Sequence, residues 1–318
     1  MLKVTGLSCS MAEQIEFHMD TGDFYVLFGP DDSGKTEIIN AIMGISKRYA
    51  GSVLYEGKEI KKLSMKERKT IRYVPDEILM LYGVRVKKYL KNMARTYQVK
   101  DKELVAQLVE YFEIDTKEYL TEMTYEGNKL VSIIGALLTS PKLLILDEPF
   151  NFLTEEMSEK LLSYLKKKNE EGMSILLLLE HFEDADENAN SYVYIKEGEL
   201  IHEDRVPNDW IPPKKIVFRK VDVDKMKKLF GEPDSIHREE YTYLSEFSWE
   251  EIGEKVTACG MEKNVVVQSA RMDEILDIRC KKEESQESEI TEIVTEQQVA
   301  PTIEETTETQ ENGKENEE

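Results

Sequence analysis

A chain of 318 residues, 40% of them hydrophobic, suggests roughly two domains with a sizeable core. Its net charge of −22 speaks against general nucleic-acid binding, which needs positive surface to displace counterions. The longest apolar run, Ser174 to Leu179, is strand length and far short of the roughly 20 residues that cross a bilayer; with no signal-peptide pattern at its start, the chain is expected in the cytosol.

In chain order, "LKVTGL", "EQIEFHM" and "DFYVLFG" read as short strands, with a turn at Gly22-Asp23 before the third. "YVLF" is the near-continuous apolar run of a buried parallel strand. After Thr36, apolar residues recur at helical steps (Ile38, Ile39, Ile42, Met43), and Gly44 follows as a C-cap. The basic runs Lys58 to Arg72 and Arg85 to Arg95 read as solvated helix faces. From Tyr73 to about Thr124 the spacing is mainly helical, and "NKLVSIIGALL" (128–138) is a further helix. "KLLILDEP" is a second buried strand, "EEMSEKLLSYLKKKNEEG" an amphipathic helix, and "MSILLLLEH" a third buried strand. "SYVYIKEGELIHED" reads as a hairpin turning at Glu197-Gly198. This alternation argues a sheet covered by helices. A boundary is expected near "PNDWIPPKK", with a small α+β unit after it. Cys9, Cys259 and Cys280 are scattered singly, as reduced thiols would be. From Glu283 to Glu318 there are 13 glutamates, one lysine and no aromatic residue, the composition of a disordered acidic tail.

Three segments carry chemistry. GPDDSGKT, Gly29 to Thr36, fits G-x-x-x-x-G-K-[ST] between an expected strand and an expected helix. Its glycines let backbone N–H groups approach phosphate, Lys35 can reach the terminal phosphates, Thr36 can ligate Mg2+, and the following helix points its positive end at the anion. "LLILDE" places Asp147 and Glu148 at a strand end, where one carboxylate can hold a metal's water shell and the next can act as general base. His181 ends the next apolar strand, where its imidazole can bond a γ-phosphate or a water.

Taken in order, "GPDDSGKT", "IRYVPDE", "YGVRVKKYLKNMARTY", "ALLTSPKLLILDEP" and "SILLLLEHFEDADENANSYVYIKEGELI" resemble the ATP-binding cassette family, the nucleotide-binding subunits of membrane transporters, over about residues 1–204. "NVVVQSARMDEILDI" resembles, more loosely, the closing strand and helix of single-cassette exporter subunits. The resemblance implies an α/β fold. A P-loop NTPase sheet with a helical subdomain (about 76–125) would make up a cassette domain of residues 1–206. A small C-terminal α+β domain (207–280) and the disordered acidic tail (281–318) would follow. It implies an ATPase coupled to transport, with ATP and Mg2+ as cofactors. Gly29, Pro30, Asp31, Asp32, Ser33, Gly34, Lys35, Thr36 and Glu37 would bind the nucleotide. Thr36, Asp76 and Asp147 would serve the metal, Glu148 would be the catalytic base and His181 the switch. The implied partners are a membrane-spanning permease subunit and a second cassette, in a homodimer or heterodimer, and no nucleic acid. The implied location is cytoplasmic, peripheral on the inner face of the cell membrane.

The sequence also departs from that family's pattern. Asp31 and Asp32 bring carboxylates to the phosphate loop, and Glu37 replaces a hydroxyl. Asp76 stands at the Q-loop glutamine and Thr154 at the D-loop aspartate. Met11 stands near the usual adenine-stacking aromatic. The signature LSGGQ aligns with "MTYEG", so Tyr125 and Glu126 replace both glycines; a shifted alignment puts Gly127 at the second. Groups that hold phosphate and metal within one subunit survive, while those that complete a site across a dimer are lost. Slow hydrolysis as a homodimer or pairing with a more regular cassette follows. The alternatives are a nucleotide-sensing regulatory pseudo-ATPase and a soluble cassette ATPase.

Overall fold

The computed structural model describes residues 1–101, 103–185, 188–206 and 211–280. The expected acidic tail and residues 207–210 of the expected boundary lie outside the described residues. The chain begins with β1 (Leu2–Cys9), β2 (Ala12–Met19), β3 (Phe24–Phe28) and α1 (Lys35–Ile42). Next come β4 (Ala50–Tyr55), β5 (Lys58–Glu59), α2 (Met65–Arg68) and β6 (Ile71–Val74). Three helices follow, α3 (Val86–Thr96), α4 (Leu104–Tyr111) and α5 (Tyr125–Leu137). Then come β7 (Leu143–Asp147), α6 (Glu155–Glu170), β8 (Ser174–Leu179), β9 (Ser191–Lys196) and β10 (Glu199–Arg205). The last group is β11 (Lys214–Arg219), α7 (Val223–Phe230), β12 (Ser235–His237), β13 (Glu240–Ser245), α8 (Trp249–Cys259) and β14 (Val265–Ser269). Met1–Leu276 form one compact unit; of the second unit, Asp277–Glu318, only residues 277–280 are described, and they are helical.

The central sheet runs β10-β9-β3-β8-β7-β6 and is parallel except at β10. Its inner strands bury both faces, which is why they read as unbroken apolar runs. Tyr25, Leu27, Leu143, Ile145, Leu176 and Leu178 pack toward α1 and the antiparallel sheet β2-β1-β4-β5. Phe24, Val26, Phe28, Leu144, Leu146 and Leu177 pack on the other face, with side chains of α3, α4, α5 and α6.

Residues 214–269 run β-α-β-β-α-β with antiparallel strand order β12-β13-β11-β14, the ferredoxin-like split arrangement. Ile216, Phe218 and Tyr243 on its sheet face Met226, Ile252 and Val256 on its helices.

Three sequence expectations need correction. The run Lys58 to Arg72 is not a helix face: it holds β5, a 3-10 turn, the short α2 with its Ser64–Glu67 capping box, and the start of β6. Tyr73 and Val74 lie in β6 rather than a helix, because this strand lies beside β7 and only Ile71 and Val74 are buried, too few to make an apolar run. Helix α5 begins at Tyr125, three residues before the expected Asn128, because Thr124 caps it.

Candidate nucleotide site

The C-terminal ends of β3, β8, β7 and β6 lie side by side, where open α/β sheets bind ligands. A cleft of about 540 Å3 opens there. Its walls include Ser33, Gly34, Lys35 and Thr36 of the loop after β3, Asp147 and Glu148 at the end of β7, and Asp76 after β6. Asp31, Asp32 and Glu37 also border it, as do Met11 and Glu77. Four elements distant in sequence therefore converge on one site. Gly29 and Pro30 are not among the lining residues; their carbonyls accept from Lys35 Nζ at 2.5 and 3.0 Å. His181 is not among them either; it follows β8, whose last carbonyl, at Leu179, accepts from Gly29 N at 3.1 Å.

The phosphate loop is built on close approach. A Cβ on Gly29 would sit 1.9 Å from the Ile195 carbonyl, and one on Gly34 would sit 2.4 Å from that of Met11. Gly34 takes a φ of +93° at the N-cap of α1 and offers no side-chain cap. The first-turn N–H groups of α1 are thus left to a ligand. Lys35 is 7% exposed, and burial pushes its ammonium below the usual lysine range against the pull of Glu148, Asp31, Asp147 and Glu180. Asp31 and Asp32 are exposed on the rim, so their charges are screened by solvent rather than sealed against a bound polyanion.

Asp147 is held from two sides. Tyr73 donates its hydroxyl to Oδ2 at 2.8 Å, and Lys129 Nζ donates to the Asp147 carbonyl oxygen at 2.9 Å. Burial pushes the Asp147 carboxyl up, opposed by Tyr73, Lys129 and Lys35. Glu148 adopts a φ of +42°, and its N–H donates to Leu178 O at 3.0 Å. Burial pushes its carboxyl up to about 7, although Lys35 and a backbone hydrogen bond from Glu180 pull the other way. A carboxyl near neutrality is suited to proton transfer. Among the described residues, Ser33 Oγ, Glu148 Oε1 and His181 Nδ1 are buried polar atoms with no partner. Orphaned polar atoms beside an uncapped helix start, a lysine and a strand-end acid fit a phosphate group and its metal. Among the described residues no three His, Cys, Asp or Glu side chains converge on a metal point; Mg2+ at phosphate sites commonly takes one or two protein carboxylates and completes its shell with phosphate and water.

The positions where the family's cross-dimer motifs would stand form a cluster of their own. Glu126 Oε1 accepts from Thr154 N and Oγ1 at 2.8 and 2.9 Å. Tyr125 and Phe152, both exposed, stack with centroids 5.3 Å apart. Thr124 Oγ1 accepts from Gly127 N at 3.1 Å, so α5 caps itself. Glu77, which lines the cleft, and Lys129 and Tyr73, which hold Asp147, were missed by the sequence reading. The signal for Lys129 was a lone charge in "NKLVSIIGALL", one turn from Ile133 on an otherwise apolar face.

Residues 12–151 match the family model described as ABC transporter. The linearmycin resistance ATP-binding protein LnrL of Bacillus subtilis (strain 168) is 25% identical over 197 residues, covering 60% of this chain and 63% of its own. The sulfate/thiosulfate import ATP-binding protein CysA of Bacillus cereus (strain ATCC 10987 / NRS 248) is 26% identical over 201 residues, covering 58% and 55%. In both, the match spans less than two thirds of the relative's length. Among solved structures, an ATP-binding subunit of an ABC transporter superposes with a TM-score of 0.60 at 21% identity, covering 80% of this chain and 99% of that one, a likeness of fold.

Proposed function

We propose that this chain, whose residues 12–151 are an ATP-binding cassette of the ABC transporter family, is the ATP-binding subunit of a membrane exporter, powering it by binding and hydrolysing Mg-ATP in a cassette dimer. The observation that carries this reading is the convergence of an uncapped phosphate loop, a buried strand-end acid and an adjacent carboxyl near neutrality on one cleft. Its partners are a membrane-spanning permease subunit, which recruits the chain from the cytoplasm to the inner face of the membrane, and a second cassette. The direction rests on the resistance relative and on β14 with the helical residues after it, where exporter subunits have their closing strand and helix.

The start of α1, Lys35 and Ser33 bind the phosphates. Thr36 and Asp147 would hold Mg2+, with Asp76 facing the same cleft; the bound ion supplies positive charge against that of the phosphates. Glu148 takes the proton of a water whose oxygen attacks the γ-phosphorus as the bond to the β,γ-bridging oxygen breaks. His181 hydrogen-bonds the γ-phosphate or that water. In a dimer, this chain's phosphate loop faces a partner's regular signature, while its own self-capped α5 completes the partner's site poorly. The test is ATP turnover by the purified chain and by Glu148→Gln. Slow turnover, raised by a regular partner cassette and abolished in the variant, is expected; brisk turnover by the chain alone would falsify the degenerate-site reading.

The bonds between Glu126 and Thr154 favour a second reading, a nucleotide-sensing regulatory pseudo-ATPase. Isothermal titration with ATP beside the turnover assay separates the two: a sensor binds ATP and turns none over with any partner.

A further inference from the structure

Lys129 lies inside the molecule, its side chain 0% exposed, one turn into a helix whose neighbouring residues are mostly apolar. A buried ammonium is tolerated only where oxygens replace its water shell. Nζ lies 3.0 Å from Asp76 Oδ1 and 2.9 Å from the Asp147 carbonyl, with the carbonyls of Asp76 and Pro75 at 3.3 and 3.4 Å. Three of these oxygens belong to the turn after β6 and one to the end of β7, so a single cation ties together two walls of the cleft. Asn151 Nδ2 reaches both Asp76 carboxylate oxygens at 3.4 Å. Asp76 is therefore the counter-charge of a buried lysine, at a position where a carboxylate alone would add to an already acidic cleft of Asp31, Asp32, Glu37, Glu77, Asp147 and Glu148.

We propose that Lys129 is a positioning residue, whose ammonium clamps the 75–76 turn to the end of β7 and neutralises the Asp76 carboxylate through Oδ1, so that Asp76 serves a metal less readily while this ion pair holds. The proposal rests on the nucleotide-binding reading above and refines it. Lys35 lines a cleft that must accept a polyphosphate, and Lys129 lies buried behind Asp76 and Asp147 of its wall. Lys129 acts by cancelling Asp76 and by fixing the Asp147 main chain, and it needs no contact with nucleotide.

Two measurements test this. The first is a melting cycle without nucleotide over wild type, Asp76→Asn, Lys129→Gln and the double variant. Asp76→Asn leaves the buried ammonium uncompensated, Lys129→Gln leaves the half-exposed Asp76 carboxylate without its partner, and the double change removes both charges. The expected result is a loss of several degrees in each single variant and a double variant that melts above the sum of the two losses; additive losses would overturn the clamp. The second is binding of a fluorescent ATP analogue in Mg2+ and in EDTA. With Asp76 left uncancelled, Lys129→Gln should weaken metal-free binding about tenfold, the effect of one unit charge at short range through protein. It should weaken binding in Mg2+ much less, because the freed carboxylate is offered to the metal. Asp76→Asn should strengthen metal-free binding. Equal changes with and without Mg2+ would overturn the electrostatic role. Should Lys129→Gln fail to fold, Asp76→Asn reads the same pair from its half-exposed side. Should the wild type bind no nucleotide, the functional reading fails, while the melting cycle still decides the clamp.

Discussion

Glu148 sits where a buried strand turns, at a φ of +42°, with one carboxylate oxygen buried and unpartnered. Its carboxyl is pushed from 4.5 up to about 7, chiefly by burial. The folded state thus holds this proton more tightly than the unfolded state does. The stability that comes from the protonated form is complete below about pH 4.5 and is lost as pH rises through about 7. Glu148→Gln mimics the protonated form. In EDTA and without nucleotide, its melting temperature should exceed that of wild type at pH 8, and the gap should close toward pH 5. The shift corresponds to at most about 3 kcal/mol, less what solvent in the cleft screens. Scanning calorimetry across that range checks it; parallel curves would mean that Glu148 ionises freely. Tyr73 makes a companion case. Tyr73→Phe removes the hydroxyl that donates to Asp147 Oδ2 and leaves a buried carboxylate short of a partner, a loss of about 1–3 kcal/mol in chemical denaturation.

Secondary elements were legible in the sequence in proportion to how fully they are buried. β3, β7 and β8 read as strands because both faces are covered, and α6 read as a helix because only one stripe is. β5 is short and exposed, β6 is short, and β4 buries only Val53 and Tyr55, so they leave little alternation to find. The phosphate loop was legible for a different reason: wrapping a phosphate with backbone N–H groups fixes the local spacing of glycine, lysine and hydroxyl. Lys129 and Tyr73 reach Asp147 from elements 56 residues apart in sequence, and only the fold brings them together. The end of the first unit holds a link of this kind that no motif announces. Glu183, two residues past His181, accepts from Met272 N at 2.5 Å and caps the helical residues that follow β14. Met272 and Leu276 are buried in the same core as β3 and β8. Glu183→Ala should lower the melting temperature by about 2–4 °C, the effect of losing a cap of about 1 kcal/mol in a domain of this size. Glu183→Gln keeps the acceptor oxygen and drops a charge that burial disfavours, so it should melt no lower than wild type. Equal losses in both variants would show that the charge, rather than the cap, holds this end.

At the scale of the whole molecule, the question is whether two copies of this chain can close on ATP. A helix N-terminus attracts phosphate through free N–H groups and the positive end of its dipole. Helix α1 keeps both, since Gly34 offers no side-chain cap. Helix α5 has less of both to spare, since the Gly127 N–H is already bonded to Thr124 Oγ1. Thr124 caps it, Glu126 puts a carboxylate in its first turn, and Tyr125 stands where a phosphate would have to approach the backbone. Glu126 is in turn fixed by Thr154, and Tyr125 is stacked on Phe152, so the obstruction is braced and does not depend on one rotamer. Both copies in a homodimer would present this face to the other's nucleotide, and the net charge of −22 per chain adds repulsion at low salt. The prediction is that Glu148→Gln, which on the proposed role of Glu148 should slow hydrolysis and trap any closed state, remains monomeric by light scattering in saturating Mg-ATP. Replacing Tyr125 and Glu126 by glycine in that background should free the α5 N-terminus and permit an ATP-dependent dimer, at a stability cost of about 1 kcal/mol for each glycine in the helix. A dimer formed by Glu148→Gln alone would mean that the braced cluster yields to a partner's phosphate, and the asymmetry between α1 and α5 would then carry no preference for an unlike partner.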